Sequence, residues 1–302
     1  MDIASSSATR TDVYQTVTDT IIAAIERGAG NFIMPWHGSG IARPQNALTQ
    51  SDYHGVNVLM LWAEACLRGF STGWWATYKQ WQEAGGQVRR HEKASTIVFF
   101  KRLDDEDEDQ EGREGEGRRA RAVARASRVF NADQVEGWSG LPKVYRYGSS
   151  AEVIMAVASL ANSSGAAIRH GGNVACYRIN DDRIDLPPVE AFVGTPTSSP
   201  SQAYAATLLH ELVHWTGAVH RLDRGFGEGF DKEKLAAEEL MAEIGAAYLC
   251  ADLGVSNQPR PDHAAYVAHW LKLLRDDRRA IFTASRLADR AATYLHDLAA
   301  AT

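Results

Sequence analysis

His210-Glu211-Leu212-Val213-His214 is the stretch around which the chain reads most clearly. Tyr204-Ala205-Ala206-Thr207-Leu208-Leu209 before it and Trp215 after it are apolar or small and contain neither Pro nor Gly, so the spacing predicts a helix. Residues four apart share a helix face, which brings both imidazoles to one side. Glu211 stands one step round the helix, where it can reach a metal-bound water without binding the ion. Two His ligands, a carboxylate base and a third ligand from elsewhere make the zinc-hydrolase arrangement. Glu211 is the expected general base, and His210 and His214 are expected ligands.

Two residues compete for the third ligand. Trp215-Thr216-Gly217-Ala218-Val219-His220 extends the string to the long metzincin pattern, in which Gly217 turns the chain so that His220 reaches the metal. Further on, Leu235-Ala236-Ala237-Glu238-Glu239-Leu240-Met241-Ala242-Glu243 places Glu239 and Glu243 on one face of a second helix. That resembles the gluzincin layout, where the first carboxylate binds metal and the second steadies the first His. A metzincin also needs a Met-turn below the metal, and Met241 lies inside a helical pattern. The balance favours Glu239.

Outward from this centre, 302 residues suffice for two domains of ordinary size, each with its own core. A hydrophobic fraction of 45% and a charged fraction of 23% describe a soluble globular chain. The three scattered cysteines (Cys66, Cys176 and Cys250) suit buried thiols and exclude a disulfide framework or a cysteine zinc site. No basic start with an apolar run follows Met1, and no apolar stretch approaches membrane-spanning length, so a cytoplasmic protein without membrane contact is expected. The net charge of −6 is uneven. Residues 1–102 carry ten Lys/Arg against eight Asp/Glu, whereas residues 103–119 carry three against nine. The first third is thus mildly basic once the acidic run is set apart.

Val13, Val17, Ile21, Ile22 and Ile25 predict an amphipathic helix from Asp12 to Gly28 or Gly30. Residues 31–57 read as irregular, 55–68 as a second helix and 74–83 as a third. A strand is expected at 96–100, able to pair with 126–131. Residues 104–119 between them carry too little apolar surface to order and read as a mobile acidic loop, with DNA mimicry as the alternative. The Gly, Pro and Ser content near 135–148 marks a boundary. Beyond it come a helix at 149–161, short strands at about 166–170 and 173–179 with a third near Ile184, the two helices already named, and helices near 262–275 and 277–299. A small sheet beside such a metal helix is the zincin plan. The fold class is α+β in two domains. Residues 1–135 form a helical and small-sheet unit, and residues 136–302 a zincin-like metallopeptidase unit.

The chain resembles the ArdC-type antirestriction proteins of plasmids and other mobile elements over nearly its whole length. In the first part the resemblance rests on Pro35-Trp36, Pro44-Gln45-Asn46, Tyr53-His54-Gly55-Val56-Asn57, Trp75-Ala76-Thr77-Tyr78-Lys79-Gln80, Gly85-Gly86-Gln87-Val88 and His91-Glu92-Lys93-Ala94. In the second it rests on Val129-Phe130-Asn131-Ala132-Asp133-Gln134, Leu209 to Gly217, Arg221-Leu222-Asp223-Arg224 and Glu238 to Glu243. It implies an N-terminal domain that binds single-stranded DNA and a C-terminal zincin-like metallopeptidase domain; the ligand spacing itself leads to an expectation of one zinc ion per chain, with another divalent metal as the alternative. The implied role is protection of incoming DNA from host restriction, with host restriction-system proteins as a second partner class. It also supports Glu239, with Glu243 behind it, over His220. The acidic run is an insertion relative to that family.

Single-strand binding without sequence preference needs aromatic faces for bases and cations for phosphates. Five of the eight tryptophans fall within residues 36–81, close to Lys79, Arg89, Arg90 and Lys93. Trp62 belongs to an apolar helix face and reads as core. Trp75, Tyr53, Arg43, Lys79 and Lys93 are the candidate DNA contacts. The competing function is an active protease that cleaves a host protein and uses DNA only to find it.

Overall fold

The computed structural model describes residues 12–28, 34, 36, 42–102, 122–140, 150–194, 198–226, 231–255 and 263–302. The acidic run 104–119, the first eleven residues and the Leu141-Pro142 part of the expected boundary lie outside the described residues. The chain is α+β, as its pattern implies. Its first half contains α1 (Val13–Gly28), β1 (Gln45–Asn46), α2 (Val56–Arg68), β2 (Trp74–Ala76), α3 (Tyr78–Glu83), β3 (Gln87–Val88), β4 (Ser95–Arg102), β5 (Ala122–Asn131) and β6 (Val135–Glu136). The second half contains α4 (Ser150–Ser164), β7 (Ala167–His170), β8 (Cys176–Arg178), β9 (Arg183–Leu186), α5 (Pro200–Trp215), α6 (Lys232–Leu253), α7 (His263–Asp276) and α8 (Ala280–Ala300).

Asp12 caps α1 by accepting the amide of Tyr14 at 3.0 Å, and Val17, Ile21 and Ile25 form its fully buried stripe. α2 stops at Gly69, whose φ of 70° lets its amide reach back to the Ala65 carbonyl. The first sheet has the order β1-β2-β5-β4, with β4 and β5 antiparallel and Thr96 opposite Arg128. The expected pairing of the strands that flank the acidic run is therefore present. The single helix expected over 74–83 is not. Trp74–Ala76 is a buried strand, and the helix begins only after Thr77. Thr77 and Gln80 form a reciprocal capping box: Thr77 Oγ1 accepts the Gln80 amide at 3.3 Å and Gln80 Oε1 accepts the Thr77 amide at 3.0 Å. Two adjacent tryptophans also fit a pleated, covered surface better than a helix start.

β3 and β6 form an antiparallel two-stranded sheet, and a third sheet has the order β7-β9-β8, with central β9 parallel to β7 and antiparallel to β8. Ile184 and Leu186 of β9 are fully buried, and β8 and β9 both pack on α5. α5 starts at a capping box of Ser199 and Gln202 with Pro200 in the first turn. α6 packs along α5, and Gly245 sits where the two meet. A Cβ there would lie 2.9 Å from Val213 Cγ1, so the glycine permits the close approach.

The expectation of one core per half is not met. A single cluster of buried apolar residues runs from Val17 through Trp62, Trp75, Leu209 and Tyr248 to Leu295, and a small second cluster (Trp74, Ala76, Trp81, Val88) sits within the first half. α1 closes the C-terminal helices: Tyr14 meets Phe282 at 4.7 Å between ring centroids, and Thr18 Oγ1 donates to the Arg278 carbonyl at 2.8 Å. Arg43 also crosses between the halves. It pairs with Asp252 at 3.2 Å and with Asp289, and its guanidinium lies over the Tyr248 ring. Among the described residues no helix is long and apolar enough to span a membrane.

Candidate metal centre and candidate DNA contacts

α5 and α6 together build the centre. His210 and His214, one turn apart on α5, turn their Nε2 atoms toward each other at 3.1 Å. Glu239, in the second turn of α6, places Oε2 at 3.6 Å from His210 Nε2 and Oε1 at 3.6 Å from His214 Nε2. Among the described residues these three offer ligand atoms that all lie within 4.8 Å of one another. Two nitrogens held at about 2.1 Å from a tetrahedral ion stand roughly 3.4 Å apart, which the observed spacing approaches. The donor set therefore fits a divalent metal.

The far side of each imidazole meets a carboxylate. His210 Nδ1 is 3.6 Å from Glu243 Oε2, and His214 Nδ1 is 3.1 Å from Glu238 Oε1. An Nδ1 proton directed at a carboxylate leaves Nε2 as the free lone pair, the tautomer a metal ligand needs. Burial alone would push the Glu238 carboxyl up, but hydrogen bonds from His214 and Arg224 and the Arg224 charge outweigh it and hold the group below its ordinary value. Arg224 donates to Glu238 Oε1 at 2.8 Å, to the Val213 carbonyl at 2.7 Å and to Thr216 Oγ1 at 2.7 Å. It thus ties the end of α5 to the start of α6. The sequence reading missed Glu238 and Arg224 as parts of the centre. The available signal was chemical: a ligating His needs an acceptor for its second nitrogen, and Glu238 stands directly beside Glu239.

Glu211 is 3% exposed, on a helix against which β8 and β9 pack. His220, the rival ligand, is elsewhere. Its side chain is 59% exposed and Nε2 lies 3.2 Å from Asp182 Oδ2. The reason lies in the turn after α5. Gly217 makes room for Phe226 and Arg224, which fill the space its Cβ would occupy, so the chain folds back to bring Arg224 inward and leaves His220 facing outward. Next in the same turn, Arg221 donates to the Trp215 carbonyl at 2.6 Å, stacks 3.8 Å over the Trp215 ring and pairs with Asp182.

The candidate DNA contacts divide. Trp75 is 0% exposed on β2 with Phe70 against its edge, so it has no face to offer a base. Tyr53 is buried and its hydroxyl donates to the Trp75 carbonyl at 3.4 Å, while Arg43 is committed to Asp252 and Asp289. The Trp75 and Arg43 expectations are corrected, because side chains already packed or paired inside the fold cannot also hold a strand of DNA; Tyr53 is buried as well, but it lines a cavity on the first sheet. Lys79 and Lys93 remain exposed, Lys79 lying 3.6 Å from Glu83. Trp62 is core, as its helix face implies.

Comparison with known proteins agrees with this geometry. Residues 155–287 match the family model for a zincin-like metallopeptidase, and residues 11–130 match that for the N-terminal domain of the anti-restriction factor ArdC. The uncharacterized protein y4eC of Sinorhizobium fredii is 43% identical over 95% of this chain and 92% of its own length. DNA primase TraC of Escherichia coli is 34% identical over 92% of this chain, which spans only 26% of that protein. The metal-free crystal structure of the antirestriction ArdC protein from plasmid R388 superposes with a TM-score of 0.77 at 39% identity, covering 96% of this chain and 98% of that one. Its Mn(II)-bound form gives 0.75 at 38% identity over the same shares. With a two-part architecture, a helix-borne His-Glu-x-x-His centre and full-length similarity to a solved member, the chain belongs to the ArdC antirestriction family.

Proposed function

We propose that this chain acts in the cytoplasm, binds single-stranded DNA through residues 1–135 and shields incoming mobile-element DNA from host restriction. Residues 136–302 carry a zinc-binding, metallopeptidase-type centre. The observation that carries the second half of this reading is the meeting of His210, His214 and Glu239 from two helices with Glu211 alongside. His210 and His214 supply nitrogen ligands, Glu239 supplies oxygen, and Glu243 and Glu238 hold the two rings in register. A divalent ion bound there supplies Lewis acidity and lowers the pKa of water to about 7. Glu211 accepts a proton at its carboxylate. The Mn(II) form of the R388 relative supports a divalent ion, and the nitrogen-rich donor set favours zinc.

Elemental analysis of purified protein is expected to find about one divalent ion per chain. His210→Ala, His214→Ala or Glu239→Ala should each lose it, and His220→Ala should keep it. Loss in the His220 variant with retention in the Glu239 variant would overturn the ligand assignment.

A second reading makes the chain an active protease that cleaves a host protein. It is favoured by one observation, a buried Glu211 next in sequence to the ligand His210. Glu211→Gln, which keeps the ligands, separates the two in a plasmid-survival assay in a restricting host. Undiminished protection supports DNA shielding as the main role, and abolished protection supports proteolysis.

A further inference from the structure

The first sheet carries a cavity of about 420 Å3 that neither the metal centre nor the core requires. Its floor is formed by Ile97 and Phe99 of β4 and Val129 of β5, and its walls include Asn46, Asp52 and Gln80. Ile97 and Val129 are buried, but the Phe99 ring is 53% exposed in the middle of a strand. Arg125 lies directly across from Phe99 in the antiparallel register, so the two side chains share a face. Arg125 is exposed.

The polar wall is partly committed. Asn46 Oδ1 accepts the amides of Leu48 and Thr49, both at 3.0 Å. Gln80 Oε1 serves the Thr77 cap and Asn46, which leaves the Gln80 Nε2 donors without a partner among the described residues. Asp52 Oδ1 accepts from Gln45 Nε2 at 2.6 Å, while Oδ2 has no such partner. The cavity thus presents an aromatic face, an amide donor and a carboxylate acceptor. That combination suits a neutral planar group with donors and acceptors along its edge. Asp52 disfavours a phosphate inside, whereas Arg125, opposite Phe99 on the neighbouring strand, favours one beside the ring.

We propose that this cavity receives one unstacked base of a single DNA strand, with the base on Phe99, its edge toward Gln80 and Asp52, and an adjoining phosphate on Arg125. This rests on the single-strand reading above and assigns to it a site on β4 and β5, which Tyr53 also lines, in place of Trp75 and Arg43. The exposed ring explains how a protein whose tryptophans are largely buried still offers a stacking face.

The test uses the full chain and fluorescence anisotropy with two labelled probes of equal length, a thymidine homopolymer of about 12 nucleotides and its abasic counterpart. Wild type should prefer the base-bearing strand about tenfold. Phe99→Ala should lose most of that preference without changing affinity for the abasic strand, and Phe99→Tyr should restore it. Because the ring is exposed, the Ala variant keeps the fold, which circular dichroism checks. Arg125→Gln should weaken both probes alike and reduce the salt slope by about one. Base preference that survives in Phe99→Ala overturns the pocket while leaving single-strand binding intact. No binding of either probe by wild type at low salt overturns the single-strand reading itself, and the pocket with it.

Discussion

Glu238 and Glu239 are adjacent in the chain, yet about 100° of helix rotation separates their directions. Glu239 faces the Nε2 atoms, whereas Glu238 faces His214 Nδ1 and Arg224. Replacing Glu238 with Gln keeps the shape and removes the charge that orients the His214 proton. Metal affinity is expected to fall by about 10- to 100-fold with stoichiometry unchanged, as a competition titration against a chromophoric chelator would read. Affinity equal to wild type would reduce Glu238 to a simple partner of Arg224. The sequence discloses Glu239 because a carboxylate pair four apart follows the His-Glu-x-x-His helix. It hides Glu238, whose position is fixed only when Arg224 arrives from the turn. Trp75 misled for a related reason: residue type announces a stacking surface, but cover by Phe70 and the rest of the core is a tertiary property.

α5 ends under two arginines, Arg221 on the Trp215 carbonyl and Arg224 on those of Val213 and His214. Both satisfy acceptors that a helix end leaves open and place positive charge at the negative pole of the helix. Arg221 also anchors the turn before β9 through Asp182, whose carboxyl is held at about 2, chiefly by the Arg221 hydrogen bond and against a smaller opposing effect of burial. A carboxylate whose folded pKa lies below its unfolded value adds stability above about pH 4 and loses it as pH falls toward 2. Arg221→Gln should therefore lower the thermal midpoint at neutral pH and flatten its dependence on pH between about 4 and 2. Calorimetry across that window measures it, and an unchanged slope would show that the pair does not contribute. Most helices of this fold were legible from apolar periodicity, including α2, expected over 55–68 and observed as Val56–Arg68. The strand–helix break at Thr77 was signalled by Thr-x-x-Gln, but a run of aromatic residues obscured it.

At the scale of the molecule the two halves share one interior. Periodicity identifies the Val17, Ile21 and Ile25 stripe of α1 as a buried face, but cannot say that α1 packs on α2 and, from more than 200 residues away, on α7. That is why two separate cores were expected, whereas the main core is shared and only a small second cluster is confined to the first half. Arg43 fastens the same seam, and its guanidinium is raised in pKa by Asp252 and Asp289 even though burial opposes its charge. Arg43→Met would leave those two carboxylates facing an apolar group. A loss of about 3 kcal/mol is expected in urea unfolding followed by tryptophan fluorescence, still as one transition. Two separated transitions in the variant would mean that Arg43, rather than the shared core, makes the halves unfold together.

Gly245 makes the distance between α5 and α6 a dimension of the metal centre. The imidazoles ride on one helix and the carboxylate on the other, so the triangle of ligand atoms is only as wide as the helices are apart. A methyl group at position 245, more than a turn from Glu239, would act as a shim against Val213. Gly245→Ala should weaken metal binding while every ligand remains, and Val213→Ala in that background should recover part of it. A larger ion would suffer less than a smaller one from the wider triangle. In this fold, the choice among divalent ions would then depend in part on a residue that has no side chain.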